Sequence, residues 1–236
     1  MTIPANSVNW LARRLGLRRE EFGRTALMFL YLLFVLLAYY ILKPVSRALF
    51  LTRFDASQLP FLYLAMAASG GVLAYHYARI AVRWSLAAAV NAATALIIVT
   101  LLAIWQLLRL DQAWLYYVFN IWVSLFSLVL VSQGWLVAGH VFDARAAKRV
   151  YSLLAAGAVL GAAIGGSFTA LVVRTIGTAN LAPAAALFVL MAYGCFRLLL
   201  RQPGVSLGGA SAAESGGADF TLADVARDVR RRRHLQ

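Results

Sequence analysis

The sequence predicts an all-α polytopic membrane protein with six transmembrane helices, and three observations support this fold class. Hydrophobic residues make up 62% of the 236 residues and charged residues only 13%, which is far from the composition of a soluble domain. The apolar residues form runs of about 20, the length that an α-helix needs to cross a bilayer core. Lys and Arg concentrate between alternate runs, as in multi-pass membrane proteins. The net charge of +13 therefore needs no nucleic-acid partner.

The six predicted spans follow one another along a continuous bundle, residues 26–201. They cover residues 26–42, 59–80, 86–108, 114–138, 150–173 and 181–200. A cleaved signal peptide is the alternative for the first run. That run is long for a signal peptide and ends at Lys43-Pro44 instead of at a small-residue cleavage site. We therefore keep it as a span, and we expect Pro44 to break the helix there.

The segments that flank the bundle are basic or flexible. Residues 1–25 predict a basic amphipathic lead-in on the cytoplasmic membrane surface. Residues 202–219 are rich in Gly, Ser and Ala and predict a flexible linker. Residues 220–236 combine an apolar face with five arginines. Because this last segment is typical of the approach to another membrane region, we expect it to lead into a second half.

The distribution of basic residues predicts the orientation. Most of the 22 Lys and Arg residues fall on one side of the membrane if the N-terminus is cytoplasmic. The positive-inside rule then places both termini in the cytoplasm and the chain in the inner (plasma) membrane.

Motifs that carry chemistry are absent from the sequence. No G-x-x-x-x-G-K-[ST] loop is present, and the glycines of residues 157–166 follow no strand. The histidines His76, His140 and His234 are too scattered for a metal site, and the single Cys195 excludes an intrachain disulfide. All nine acidic residues lie in loops or at span ends, which disfavours a proton relay at membrane depth. We expect no enzyme, cofactor or metal.

Two cations mark the strongest candidate site. Lys43 and Arg47 lie one helical turn apart at the end of the first run. Facing a cavity of low dielectric, they would attract an anion far more strongly than in water. The alternative is that both side chains extend to the outer head groups.

A polar stripe in the fourth run is the second part of the candidate site. Asn120, Ser124 and Ser127 recur at positions i, i+4 and i+7, so they share one helix face. They could line an aqueous path with Lys43 and Arg47 as substrate contacts, or bond a neighbouring helix.

A charged segment before the fifth run predicts a gate. Asp143, Arg145, Lys148 and Arg149 lie in a predicted short loop. They could latch a cytoplasmic gate by charge pairing, or act only as an orientation signal.

Glycines at four-residue intervals follow this segment. Gly157, Gly161 and Gly165 would share one helix face and let another helix approach closely. We expect them to be packing residues.

Several of these motifs together resemble the nucleotide (ATP/ADP) translocase family, in its bacterial major-facilitator-like branch. They are Tyr39-Tyr40-Ile-Leu-Lys43-Pro44-x-x-Arg47, Trp135, the stretch from Phe142 to Arg149, Tyr151 and the glycine helix. The resemblance implies ATP binding and nucleotide exchange by alternating access, with Lys43 contacting phosphate and with two six-helix halves. One position differs: the exchangers carry a glutamate in the fourth helix, where this chain has Val123 and Ser124.

The first functional hypothesis is a carrier, or the N-terminal half of one, for an anionic small molecule of the nucleotide class. Its partners would be the lipid bilayer and a second six-helix half, a second copy or another chain. The alternative is a non-transporting six-helix scaffold or regulatory module that docks a partner through its basic tail.

Overall fold

The computed structural model describes residues 19–81, 84–205 and 207, and its architecture is six long α-helices. They are α1 (Arg19–Leu51), α2 (Leu59–Ala81), α3 (Leu86–Leu107), α4 (Ala113–Val141), α5 (Ala144–Ile176) and α6 (Leu181–Leu200). Each includes a segment long and apolar enough to cross a bilayer, and the described ranges contain no strand. The predicted all-α, six-helix membrane fold is thus confirmed. The predicted basic lead-in, most of the linker and the tail of residues 220–236 lie outside the described residues.

Short connections make consecutive helices run in opposite directions. Single-turn 3-10 helices, Ala56–Gln58 and Leu108–Leu110, occupy two of these connections. We call the end of the bundle at which α1, α3 and α5 begin the near face, and the opposite end the far face. Near face and far face denote only the two ends of the bundle and not the two sides of a membrane.

The helix at the centre of the bundle is α1. It packs along α5, α6 and α4, while α3 packs on α6 and α4. Its apolar side chains are buried over several turns. Five of them are 0% exposed: Leu32, Val35, Ala38, Ile41 and Leu42. In contrast, α2 packs chiefly on α4 and leaves Phe61, Leu64 and Val72 at least 60% exposed.

The seam between α1 and α5 depends on glycine. Three residues of α5 are buried against the α1 backbone: Gly157, Gly161 and Gly165. A methyl group at Gly157 would lie 2.9 Å from the carbonyl oxygen of Phe29, and one at Gly161 would overlap the carbonyl oxygen of Leu33. Only a residue without a Cβ atom lets the two backbones come this close.

The predicted break at Pro44 is wrong, because α1 continues through Pro44 to Leu51. Polar groups surround the turn after the proline: Ser46 Oγ donates to the Lys43 carbonyl at 3.1 Å, and Asn120 Nδ2 of α4 donates to the Ser46 carbonyl at 2.6 Å. Proline is tolerated inside membrane helices where hydroxyl groups and neighbouring helices satisfy the backbone locally.

The predicted charged loop before α5 is also wrong in its extent. The connection from α4 is only Phe142 and Asp143, and α5 begins at Ala144. Asp143 caps the helix, because its carboxylate accepts a hydrogen bond from the Ala146 amide at 2.7 Å. An N-terminal carboxylate satisfies free amides and complements the helix dipole. Arg145, Lys148 and Arg149 therefore lie on the helix.

Candidate anion-binding site

A cleft of about 320 Å³ lies between α1, α2 and α4 in the half of the bundle toward the far face. Its walls are formed by Tyr39, Lys43, Ser46, Arg47, Tyr63, Met66, Asn120, Val123 and Ser124. The two predicted cations and two of the three predicted polar residues thus come together in one place. The third, Ser127, lines an adjoining cleft.

Lys43 reaches the cleft from an exposed position on α1. Its ammonium nitrogen lies 5.6 Å from the ring centre of Tyr39 and 5.4 Å from that of Tyr40. These distances allow cation–π attraction, which holds a cation without neutralising it. None of the residues that line the cleft is Asp or Glu. The positive charge of Lys43 is therefore available to an anion.

Arg47 lies one turn further along α1 and is half-buried. Its guanidinium carbon lies 4.9 Å from the ring centre of Tyr63 of α2. Its Nη1 atom is buried and has no hydrogen-bond partner. A buried charged donor without an acceptor costs more than an ordinary lost hydrogen bond. The Arg47 side chain also lines the cleft, so a second positive charge lies beside that of Lys43.

The polar stripe of α4 divides into two parts. Asn120 is only 2% exposed, and its Nδ2 atom donates to the carbonyl of Ser46 and, at 3.4 Å, to that of Tyr116. Its amide donors thus join α4 to α1. Ser124 Oγ contacts Met66 Sδ at 3.2 Å, and Ser127 Oγ donates to the Ser124 carbonyl at 2.9 Å. The stripe serves helix packing as well as the cleft wall.

A second cleft, of about 620 Å³, adjoins the first. The two clefts share three wall residues: Tyr39, Met66 and Ser124. The larger one continues along α1, α2 and α4 toward the near face, and its walls are mostly aliphatic and aromatic. They include Leu36, Tyr40, Gly70, Ser127, Leu128 and Val131.

The contribution of α2 to the cleft walls was not predicted from the sequence. Tyr63, Met66 and Gly70 belong to an alanine- and glycine-rich run without a polar stripe, so only helix packing identifies them. A signal did exist for Tyr39, which precedes Lys43 by four residues and therefore shares its helix face.

The predicted gate residues lie at the near face, away from the cleft. Asp143 is the cap of α5 described above, and Arg145 and Lys148 are exposed. Arg149 forms an ion pair with Glu21 of α1 at 3.4 Å. This pair joins the beginnings of the two helices whose backbones touch along the glycine seam.

Within the described ranges, no three His, Cys, Asp or Glu side chains come close enough together to hold a metal ion. Cys195 is a buried free thiol in α6, and the ring of His76 packs edge-on against Tyr75, with 5.5 Å between ring centres.

No family model, no curated protein and no solved structure matches this chain. Its resemblance to the ATP/ADP translocase family therefore stays a prediction that depends on the motifs quoted above.

Proposed function

We propose that this chain is a membrane carrier, or one half of a carrier, for an anionic solute, with nucleotides as the first class to test. Lys43 and Arg47 hold the anion. Alternating access then moves it between the two sides of the membrane.

The observation that carries the proposal is the presence of two cations, Lys43 and Arg47, on the wall of one cleft that no carboxylate lines. Cations at membrane depth are costly and usually face a cavity or a partner. Here both line a cleft between helices. Arginine also offers a planar set of donors that matches the oxygens of a phosphate or carboxylate group.

Alternating access requires a second unit against which the six helices can rock. The exposed faces of α2 provide a surface for it, since its apolar side chains Phe61, Leu64 and Val72 are at least 60% exposed. A second six-helix half, a second copy or a separate chain would complete the carrier.

The experiment compares binding and uptake by charge-removed variants of the full chain. Binding of ATP and of pyrophosphate is measured by calorimetry in lipid nanodiscs, and uptake of labelled ATP is measured in proteoliposomes. Because hydrogen bonds to charged groups contribute about 1.5–3 kcal/mol, Arg47→Gln should weaken anion binding roughly 10- to 100-fold. We expect Lys43→Gln to weaken it as well.

The matched control is Arg109→Gln. Arg109 also lies toward the far face and stacks on an aromatic ring, 4.6 Å from Trp105, but it does not line either cleft. Removing its charge should leave anion binding unchanged. Equal anion affinity in wild type, Lys43→Gln and Arg47→Gln would refute the proposed role of the cleft.

The second candidate is a non-transporting scaffold that binds a partner protein, and the exposure of α2 is the observation that favours it. This alternative predicts a stable complex that survives purification and no solute flux in proteoliposomes. Replacing Phe61 and Leu64 by alanine should then release the partner while leaving anion binding unaffected.

A further inference from the structure

We propose that the anion carried by this site is an organic phosphate with a largely apolar body, whose phosphate lies at Lys43 and Arg47 and whose body lies along the adjoining 620 Å³ cleft. The inference rests on the proposed function, because it assumes that an anion binds at those two cations. It adds the chemical class of the solute.

The two clefts form one continuous site whose two ends differ in charge. They share Tyr39, Met66 and Ser124, so a ligand that leaves the charged end along this wall enters the larger cleft. The charged end has the two cations. The other end has none among the residues that line it. A solute that fills both ends must itself be charged at one end only.

The charged end fits a phosphate monoester. Lys43 and Arg47 are one helical turn apart and both face the small cleft, so one group with several oxygens can contact both. At neutral pH a phosphate monoester has a charge of about −1.5 to −2 and three acceptor oxygens. The guanidinium of an arginine offers several donors in a plane that matches such oxygens, and lysine binds phosphate as a point charge.

The walls of the larger cleft are mainly apolar and include Leu36, Leu128 and Val131. Its polar side-chain groups are the hydroxyls of Ser124, Ser127, Ser132, Tyr39 and Tyr40. Two of them, those of Ser124 and Ser127, already contact Met66 Sδ and the Ser124 carbonyl. A solute with many hydroxyl groups, such as a sugar, would lose its bonds to water here without full replacement. An alkyl or aryl body has no hydrogen bonds to water to lose, and its removal from water contributes favourably to the binding free energy.

A glycine pair on α2 provides a matched test. A Cβ atom at Gly70 would lie 3.8 Å from Leu128 Cδ2, an ordinary contact, whereas one at Gly71 would meet nothing within 4 Å. Gly70 lines the larger cleft and Gly71 does not. Gly70→Leu therefore fills the cleft, while Gly71→Leu makes the same change of residue type at the next position of the same helix.

The experiment measures binding of methyl, butyl and hexyl phosphate to the full chain in nanodiscs by calorimetry. Each methylene that becomes buried should raise the affinity roughly fourfold, so hexyl phosphate should bind at least tenfold more tightly than methyl phosphate. In Gly70→Leu this dependence on chain length should disappear, while the affinity for methyl phosphate stays. Gly71→Leu should behave as wild type, which also corrects for partition of the probes into lipid.

Equal affinity of wild type for the three phosphates would overturn the inference, and that result needs no variant to fold. Retention of the chain-length dependence in Gly70→Leu would overturn it too. Failure of the proposed function looks different: methyl phosphate would bind equally well to wild type, Lys43→Gln and Arg47→Gln.

Discussion

Replacing Gly165 by alanine tests the seam between α1 and α5 with a single methyl group. The new carbon would lie 2.5 Å from the carbonyl oxygen of Leu37 and 3.1 Å from its Cα atom. An ordinary contact begins at 3.4 Å, so the two backbones must separate locally by about 0.9 Å. A gap of about 0.5–1 Å already loses a quarter to a half of the dispersion attraction between facing atoms.

The expected magnitude follows from this misfit. Overpacking a well-packed interior typically costs about 1–3 kcal/mol. Here the neighbour is backbone, which cannot move aside as a flexible side chain can. Alanine also has a higher helix propensity than glycine by about 0.8–1.0 kcal/mol, which partly conceals the cost in Gly165→Ala alone.

The matched control is Gly166→Ala, because a Cβ atom at Gly166 meets nothing within 4 Å. It has the same gain in helix propensity without the clash. We expect the free energy of unfolding of Gly165→Ala to lie about 1–3 kcal/mol below that of Gly166→Ala, measured by titration with sodium dodecyl sulfate and circular dichroism. If the two variants unfold at the same detergent fraction, the close approach of α1 and α5 is refuted.

Three further predictions concern polar contacts between helices. Asn120→Ala should lower the free energy of unfolding by roughly 0.6–1.7 kcal/mol, the range for hydrogen bonds between membrane helices, and unchanged detergent unfolding would contradict the bond to α1. At the far face, the hydroxyl of Tyr116, which donates a hydrogen bond to Asp111, and the guanidinium of Arg53 hold the pKa of the Asp111 carboxyl below its usual value. The ionised carboxylate therefore contributes its full stabilisation above the usual pKa near 3.9, and this contribution is lost as the pH falls through the lowered pKa of the folded state. The difference in melting temperature between wild type and Asp111→Asn should shrink on acidification. A difference that does not depend on pH would refute the ion pair. At the near face, Arg149→Gln removes a half-exposed pair with Glu21 and should cost no more than about 1 kcal/mol, less in high salt; a larger loss of stability would indicate a different role for Arg149.

The number and positions of the helices could be predicted because apolar runs of bilayer length leave few alternatives. The two errors share one cause. Composition alone identifies Pro44 as a break and the charged residues after Asp143 as a loop. α1 nevertheless continues through Pro44, as membrane helices can at a proline. The loop prediction fails because the carboxylate of Asp143 caps α5 and lets the helix begin at Ala144.

The sequence predicts the parts of the candidate site whose residues lie on a single helix face, but not the parts that depend on which helices pack together. Lys43 and Arg47 share a face by spacing, and so do Ser124 and Ser127. The spacing does not reveal that the side-chain amide of Asn120 donates a hydrogen bond to the backbone of α1. The wall contributed by α2 depends on which helices meet, and a helix that is apolar on all sides gives no signal of its orientation.

The central position of α1 has a consequence for how the protein is made. Among the described helices α1 precedes the other five, and its partner across the glycine seam begins only at Ala144, roughly 90 residues after Leu51. At about 5–20 residues per second, α1 waits on the order of 5 to 20 s in the membrane before that partner exists. Its spanning segment has a mean hydropathy of 2.3, which keeps it stable in lipid during this interval. Assembly of the bundle thus requires α1 to be stable in lipid by itself before the later helices pack around it.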